Sequence, residues 1–141
     1  MDFNQRSIDN LKGVHPDLVK VLTEAIKTSP CDFVITDGVR TTAEQQELYA
    51  KGRTKPGSIV TYRDGIKSKS EHQVREDGFG YAVDLYPFFD GKLQLSHKDT
   101  PKMQRLIANH IKSVGHELGI EIIAGIDFKK PFDPPHFELK K

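Results

Sequence analysis

The chain has 141 residues, 36% hydrophobic and 29% charged, with a formal net charge of +1. That length suits one domain with a real core, and the balance excludes an overall field that would draw nucleic acid or membrane, while leaving room for local basic patches. Cys31 is the only cysteine, which excludes an internal disulfide and a cysteine-rich zinc site.

The opening Met1-Asp2-Phe3-Asn4-Gln5-Arg6 lacks the apolar run of a signal peptide, and no stretch approaches the ~20 apolar residues of a membrane span. The chain is expected to be made in the cytoplasm and to reach any outside target by another route. A short helix is predicted over 4–12. A second runs from Pro16 to Lys27, with Leu18, Val19, Leu22, Ala25 and Ile26 at the spacing of a buried face. Ser29-Pro30 stops it. Cys31 reads as a small buried residue. Asp32–Thr36 reads as a strand and Asp37-Gly38 as a turn. Thr41 or Thr42 caps a helix to Ala50, with Glu44 in its first turn.

Residues 52–80 contain five glycines and many charges; they are expected to be loop, with one short strand at Ser58–Tyr62. Tyr81–Tyr86 reads as a strand ended by Pro87, and Asp90-Gly91 as a hairpin turn. The longest helix is predicted from Thr100 to Leu118, with Met103, Leu106, Ile107, His110, Ile111, Val114 and Leu118 at helical spacing. Glu121–Ala124 and Phe137–Leu139 complete the strands. Helices first and strands scattered suit an α+β domain.

Three residues offer metal chemistry. His72 lies in a polar loop, Asp84 ends an apolar strand, and His136 follows Pro134-Pro135. Two imidazoles and a carboxylate are the donor set that holds a catalytic zinc with a position left open. Spacing alone equally fits a surface histidine, a strand-end aspartate and a loop histidine. Asp133, three residues before His136, is either a general base or the start of a turn. Arg40, between a strand and a helix, either clamps a substrate carboxylate, stabilises an oxyanion or is a surface ion-pair partner. Ser70 is either a hydrogen-bond donor to substrate or an ordinary loop serine. His110 reads as a packed edge residue, and His15, His97 and His116 as loop or surface positions.

The combined motifs settle more. Ser70-x-His72 with Gly80-x-Ala82-x-Asp84, joined to Asp133-Pro134-Pro135-His136-Phe137-Glu138-Leu139, resembles the zinc D-Ala-D-Ala carboxypeptidase and L-alanyl-D-glutamate endopeptidase family, which includes phage endolysins. The blocks Gly38–Gly57 and Ala124–Phe128 extend the resemblance to about residues 30–139. It implies a small antiparallel sheet with helices packed on it, like hedgehog and D-Ala-D-Ala peptidases. It implies a zinc ion on His72, Asp84 and His136, Asp133 as general base, and Arg40 on the substrate carbonyl. Ser70 falls on the substrate side, and Asp127 is expected to orient a ligand histidine from behind.

The substrate implied is the peptidoglycan stem peptide, cut at the L-alanyl-D-glutamate bond. A D,D-carboxypeptidase and a non-catalytic zinc-binding interaction domain are the alternatives. Residues 1–141 are expected to be one zinc peptidase domain and a monomer, with no separate wall-binding domain. As a phage lysis enzyme it would act in the periplasm, entering through membrane lesions made by a holin-type partner. Seven residues, Gln73 to Phe79, separate His72 from Gly80, where the family pattern His-x-x-Gly-x-Ala-x-Asp has two. This insertion is expected to reshape the cleft rim beside His72, and its Glu76-Asp77 pair is either a solvated loop or a cation site.

Overall fold

The computed structural model describes residues 1–129 and 132–141. Helices α1 (Gln5–Asn10) and α2 (Pro16–Thr28) precede strand β1 (Asp32–Asp37) and helix α3 (Thr42–Ala50). Strands β2 (Ala82–Phe89) and β3 (Lys92–Leu93), helix α4 (Thr100–Glu117), strand β4 (Ile122–Ala124), a 3-10 turn (Gly125–Asp127) and strand β5 (His136–Leu139) follow. The strands form one antiparallel sheet in the order β1-β2-β5-β4, with β3 paired to β2. The α+β expectation holds. Among the described residues no helix is long and apolar enough to cross a membrane.

Side-chain alternation divides the sheet into two faces. Val83 and Leu85 of β2, with Phe137 and Leu139 of β5, are buried against α2 and α4. Asp84 and Tyr86, with His136 and Glu138, face the opposite side and line a cleft. Each fully buried Phe or Leu contributes about 1.5–3 kcal/mol, so the core face anchors the strands that carry the cleft residues. On α2 the buried stripe is Leu18, Val21, Leu22, Ala25 and Ile26, with Val19 at its margin. On α4 it is Thr100, Gln104, Ile107, Ala108, Ile111 and Gly115. Leu106, predicted inside, is 39% exposed. His110 packs at the helix edge, its Nε2 3.0 Å from the Ala25 carbonyl.

Two local predictions need correction. The expected strand at 58–62 is absent; those residues are irregular chain, tied down by side chains instead of a ladder. Pro87 does not end β2, which continues to Phe89. The Leu85 amide bonds the Pro135 carbonyl on the β5 side, so the position of Pro87 faces that side too. There β5 pairs only Ala82–Asp84, and no carbonyl of β5 requires the missing N–H. The Asp90-Gly91 turn has positive φ at both residues, 53° and 75°, as a type I′ hairpin requires; the two-residue β3 beyond it was not predicted.

Helix α1 closes the outer edge of β1. Ser7 Oγ accepts the Ile35 amide at 2.9 Å, and Asn10 Nδ2 donates to the Ile35 carbonyl at 2.8 Å. These side chains satisfy an edge strand that would otherwise be open. Thr41 and Glu44 form a complete capping box at the start of α3.

Candidate metal centre

Sheet register brings two of the three predicted ligands together. Asp84 is the cross-strand partner of His136, and on its other side faces Asp37. A bulge between Ile35 and Asp37 shifts the register there and turns the chain toward Gly38 and Arg40. His72 arrives on the loop before β2. Its carbonyl accepts the Arg40 amide at 2.9 Å, and its own amide donates to Ser70 Oγ at 3.2 Å. Gly80 lets the chain pass this close: a Cβ there would lie 3.0 Å from the His72 carbonyl oxygen.

His72 Nε2 lies 3.3 Å from Asp84 Oδ1, and His136 Nδ1 lies 3.6 Å from the same oxygen. One ligand atom from each of the three residues falls within 4.8 Å of the others. The far nitrogens fix the ring orientations. His72 Nδ1 donates to the Gly38 carbonyl, and His136 Nε2 to Glu138 Oε1, each at 2.8 Å. A carbonyl and a carboxylate only accept, so those nitrogens carry hydrogens and the near nitrogens turn toward Asp84. Asp84 Oδ2 accepts Arg40 Nη2 at 3.3 Å. Asp84 Oδ1 is buried and makes no hydrogen bond of ordinary geometry.

Charge follows the same plan. Burial works against ionised Asp84, but His136 and His72 outweigh it and hold the carboxyl well below the usual carboxylate range. Burial likewise opposes a charged His136, yet Asp84 and Glu138 raise it to about 9. A buried, unsatisfied carboxylate oxygen between two imidazole nitrogens fits a divalent metal, and the N, N, O set suits zinc.

Asp133 reaches the edge of this site, its Oδ2 3.9 Å from His136 Nδ1. Burial and then the charge of Asp84 push its carboxyl up, the direction a general base needs. Arg40 lines the cleft, but its guanidinium is largely engaged. Nε donates to Asp37 at 2.8 Å, Nη1 to Gln45 at 3.2 Å and Nη2 to Asp84. With five N–H groups, two remain for a substrate oxygen. Ser70 lines the cleft as well, with its hydroxyl oxygen already holding the His72 amide.

Asp127 is elsewhere. Its carboxylate bonds Arg105 and Lys112 of α4, because the 3-10 turn directs this side chain away from His136. The carboxylate behind His136 is Glu138. Period two along β5 from His136 identifies it, and the same rule from Asp84 identifies Tyr86. Burial, then Asp84 and Asp133, push the Tyr86 phenol up, so it stays a protonated donor at neutral pH. Gln45, fully buried, had no signal in hydrophobic spacing.

The insertion before Gly80 folds away from the cleft. Arg75 stacks on Tyr81 at 3.7 Å and pairs with Glu71, while Tyr81 bonds Asp77. Phe79 and Tyr81 pack on His15 at the start of α2. None of residues 73–79 lines the cleft; the insertion touches the rim only from behind, through Gln73 on the Ser70 amide and Arg75 on Glu71. The cleft encloses about 320 Å³. A larger open groove, about 720 Å³, follows β4 and the end of α4 but contains none of the three predicted ligands.

Residues 1–139 match the family described as phage L-alanyl-D-glutamate peptidase. The chain belongs to this family. It is 30% identical over 139 residues to the L-alanyl-D-glutamate peptidase of Escherichia phage T5, covering 99% of this chain and 89% of that one. It is 34% identical over 130 residues to the peptidoglycan L-alanyl-D-glutamate endopeptidase CwlK of Bacillus subtilis, covering 89% and 73%. The crystal structure of the Serratia marcescens L-Ala D-Glu endopeptidase ChiX superposes with a TM-score of 0.72 at 28% identity, covering 99% and 90% of the two chains.

Proposed function

We propose that this chain is a zinc-dependent endopeptidase that hydrolyses the L-alanyl-D-glutamate bond of the peptidoglycan stem peptide, acting as one domain. The observation that carries the reading is the unsatisfied Asp84 oxygen between His72 and His136, in a chain whose relatives bear that activity in their names. The biological setting of the reading is a phage lytic enzyme. It would be made in the host cytoplasm and reach the periplasm through membrane lesions opened by a holin-type partner.

His72, Asp84 and His136 would hold the zinc, which when bound acidifies water and polarises a carbonyl. The chain supplies the rest. Asp133, raised by burial beside Asp84, takes the proton of the attacking water and returns it to the leaving amine. The two unused Arg40 N–H groups donate to the carbonyl oxygen as negative charge develops there. Asp37 and Gln45 fix that guanidinium, so its orientation is set before substrate arrives.

Chelation should abolish release of peptides from purified peptidoglycan, and zinc should restore it. Asp133→Ala should bind zinc like the wild type and lose turnover by about 10²–10⁴-fold, the usual contribution of a general base. A metal-loaded Asp133→Ala protein with full activity contradicts the base assignment.

A further inference from the structure

Residues 51–69 carry six of the chain's basic side chains (Lys51, Arg53, Lys55, Arg63, Lys67 and Lys69) against the single acidic Asp64. The segment is thus net +5 while the whole chain is +1, which leaves the remainder net negative. Lys55 pairs with Glu47. Lys51, Arg63, Lys67 and Lys69 have no carboxylate partner among the described residues. Four large apolar side chains stand exposed between these cations: Ile59 at 48%, Val60 at 57%, Tyr62 at 65% and Ile66 at 62%. Val60, Tyr62 and Arg63 line the cleft, while Ile66 and Lys67 line a neighbouring hollow with Tyr49 and Thr54; cations without carboxylate partners beside exposed apolar groups are typical of a binding surface.

The segment is built, although it has no helix or regular strand. Gln45 Nε2 donates to Thr61 Oγ1 at 3.2 Å and to the Arg63 carbonyl at 2.8 Å. Arg53 donates to the Tyr49 and Thr61 carbonyls, with its guanidinium 3.8 Å from the Tyr49 ring centre. Asp64 Oδ1 accepts the amides of Ile66, Lys67 and Ser68, so this lone carboxylate is occupied by its own turn. Gln45 also holds Arg40; one buried side chain therefore ties the segment to the metal centre. Val60, Thr61, Tyr62 and Arg63 form one wall of the catalytic cleft.

We infer that residues 51–69 form an anchoring surface for the carboxylate-bearing peptidoglycan polymer, engaging stem peptides beyond the one being cut. This rests on the proposed substrate. Charge complementarity selects the occupant: each stem peptide presents carboxylates to the unpaired cations, while the apolar side chains offer contact to peptide methyls and sugar faces. Continuity with the cleft favours the polymer over an anionic bilayer, since chain entering the cleft must pass this wall.

The test uses zinc-loaded protein with the triple change Lys51→Gln/Lys67→Gln/Lys69→Gln, none of which lines the cleft. On intact sacculi, kcat/KM should fall roughly tenfold, at about twofold per exposed ion contact removed. On a short soluble stem peptide it should stay within twofold. Sedimentation with sacculi, measured in an Asp133→Ala background to prevent digestion, should weaken to the same degree. Binding by the unchanged segment should fall with added salt and when the sacculus carboxylates are amidated.

Equal loss on both substrates, or sacculus binding insensitive to the triple change or to amidation, overturns the anchoring role. Stronger binding to phosphatidylglycerol vesicles than to sacculi overturns it in favour of a membrane surface. If the wild type cleaves neither substrate yet the Asp133→Ala protein still binds sacculi through these lysines, the catalytic reading fails and the anchoring surface stands.

Discussion

The two oxygens of Asp84 have different neighbours, and this difference organises the site. One is neutralised by Arg40; the other is left between two imidazoles. Glu138 extends the arrangement by accepting from His136 Nε2, which fixes the ring and raises its basicity as a ligand. Glu138→Gln should weaken zinc binding about 10–100-fold while leaving the fold intact; competition with a chromogenic chelator measures it. An unchanged affinity would mean that strand geometry alone positions His136. Because metal-free His136 titrates at about 9, zinc must displace its proton at neutral pH. Apparent zinc affinity should therefore rise nearly tenfold per pH unit from pH 7 toward 9 and then level off.

Elements whose residues alternate or repeat were readable in the sequence, and so were the residues they carry. Helices α2 and α4 and the strand bearing Asp84 follow from apolar spacing and α3 from its cap, while the last strand begins one residue earlier than expected, at His136; the pairing of Asp84 with His136 explains why a carboxylate and an imidazole distant in sequence meet. The 51–69 segment was not readable in this way: its order comes from buried Gln45 and stacked Arg53, which leave no periodic trace. Asp127 bonds Arg105 and Lys112 and not a histidine, because sequence proximity to His136 does not specify which way a 3-10 turn points its side chain. That turn is itself a sensitive joint. A Cβ at Gly125 would lie 2.1 Å from the Asp133 carbonyl oxygen and 2.8 Å from His136 Cβ. Gly125→Ala should cost roughly 3 kcal/mol by overpacking and weaken zinc binding as well. Gly119 has φ +72° with nothing within 4 Å of its added Cβ, so Gly119→Ala should cost only ~1 kcal/mol of backbone strain and leave zinc affinity unchanged. Denaturant midpoints with zinc titrations separate the two.

Across the whole molecule, the proposed metal would couple to folding, because His72, Asp84 and His136 come from the loop between α3 and β2, from β2 and from β5. Zinc at a hundredfold excess over Kd should add about 2.7 kcal/mol, roughly 10 °C in Tm for a domain of this size. The pH dependence has a definite sign. His136 is raised in the folded chain from 6.5 to about 9, so its contribution to metal-free stability is full below pH 6.5 and is lost as pH rises through 9. The zinc-induced gain in Tm should accordingly grow across that interval, when scanning calorimetry compares stripped and loaded protein. The most direct measurement of the activity is mass spectrometry of purified peptidoglycan digested by the zinc-loaded protein. New D-glutamate N-termini, with L-alanine left on muramic acid, are the predicted products. Release of D-alanine without them would make the chain a D,D-carboxypeptidase, and an undigested polymer would contradict the peptidase reading altogether.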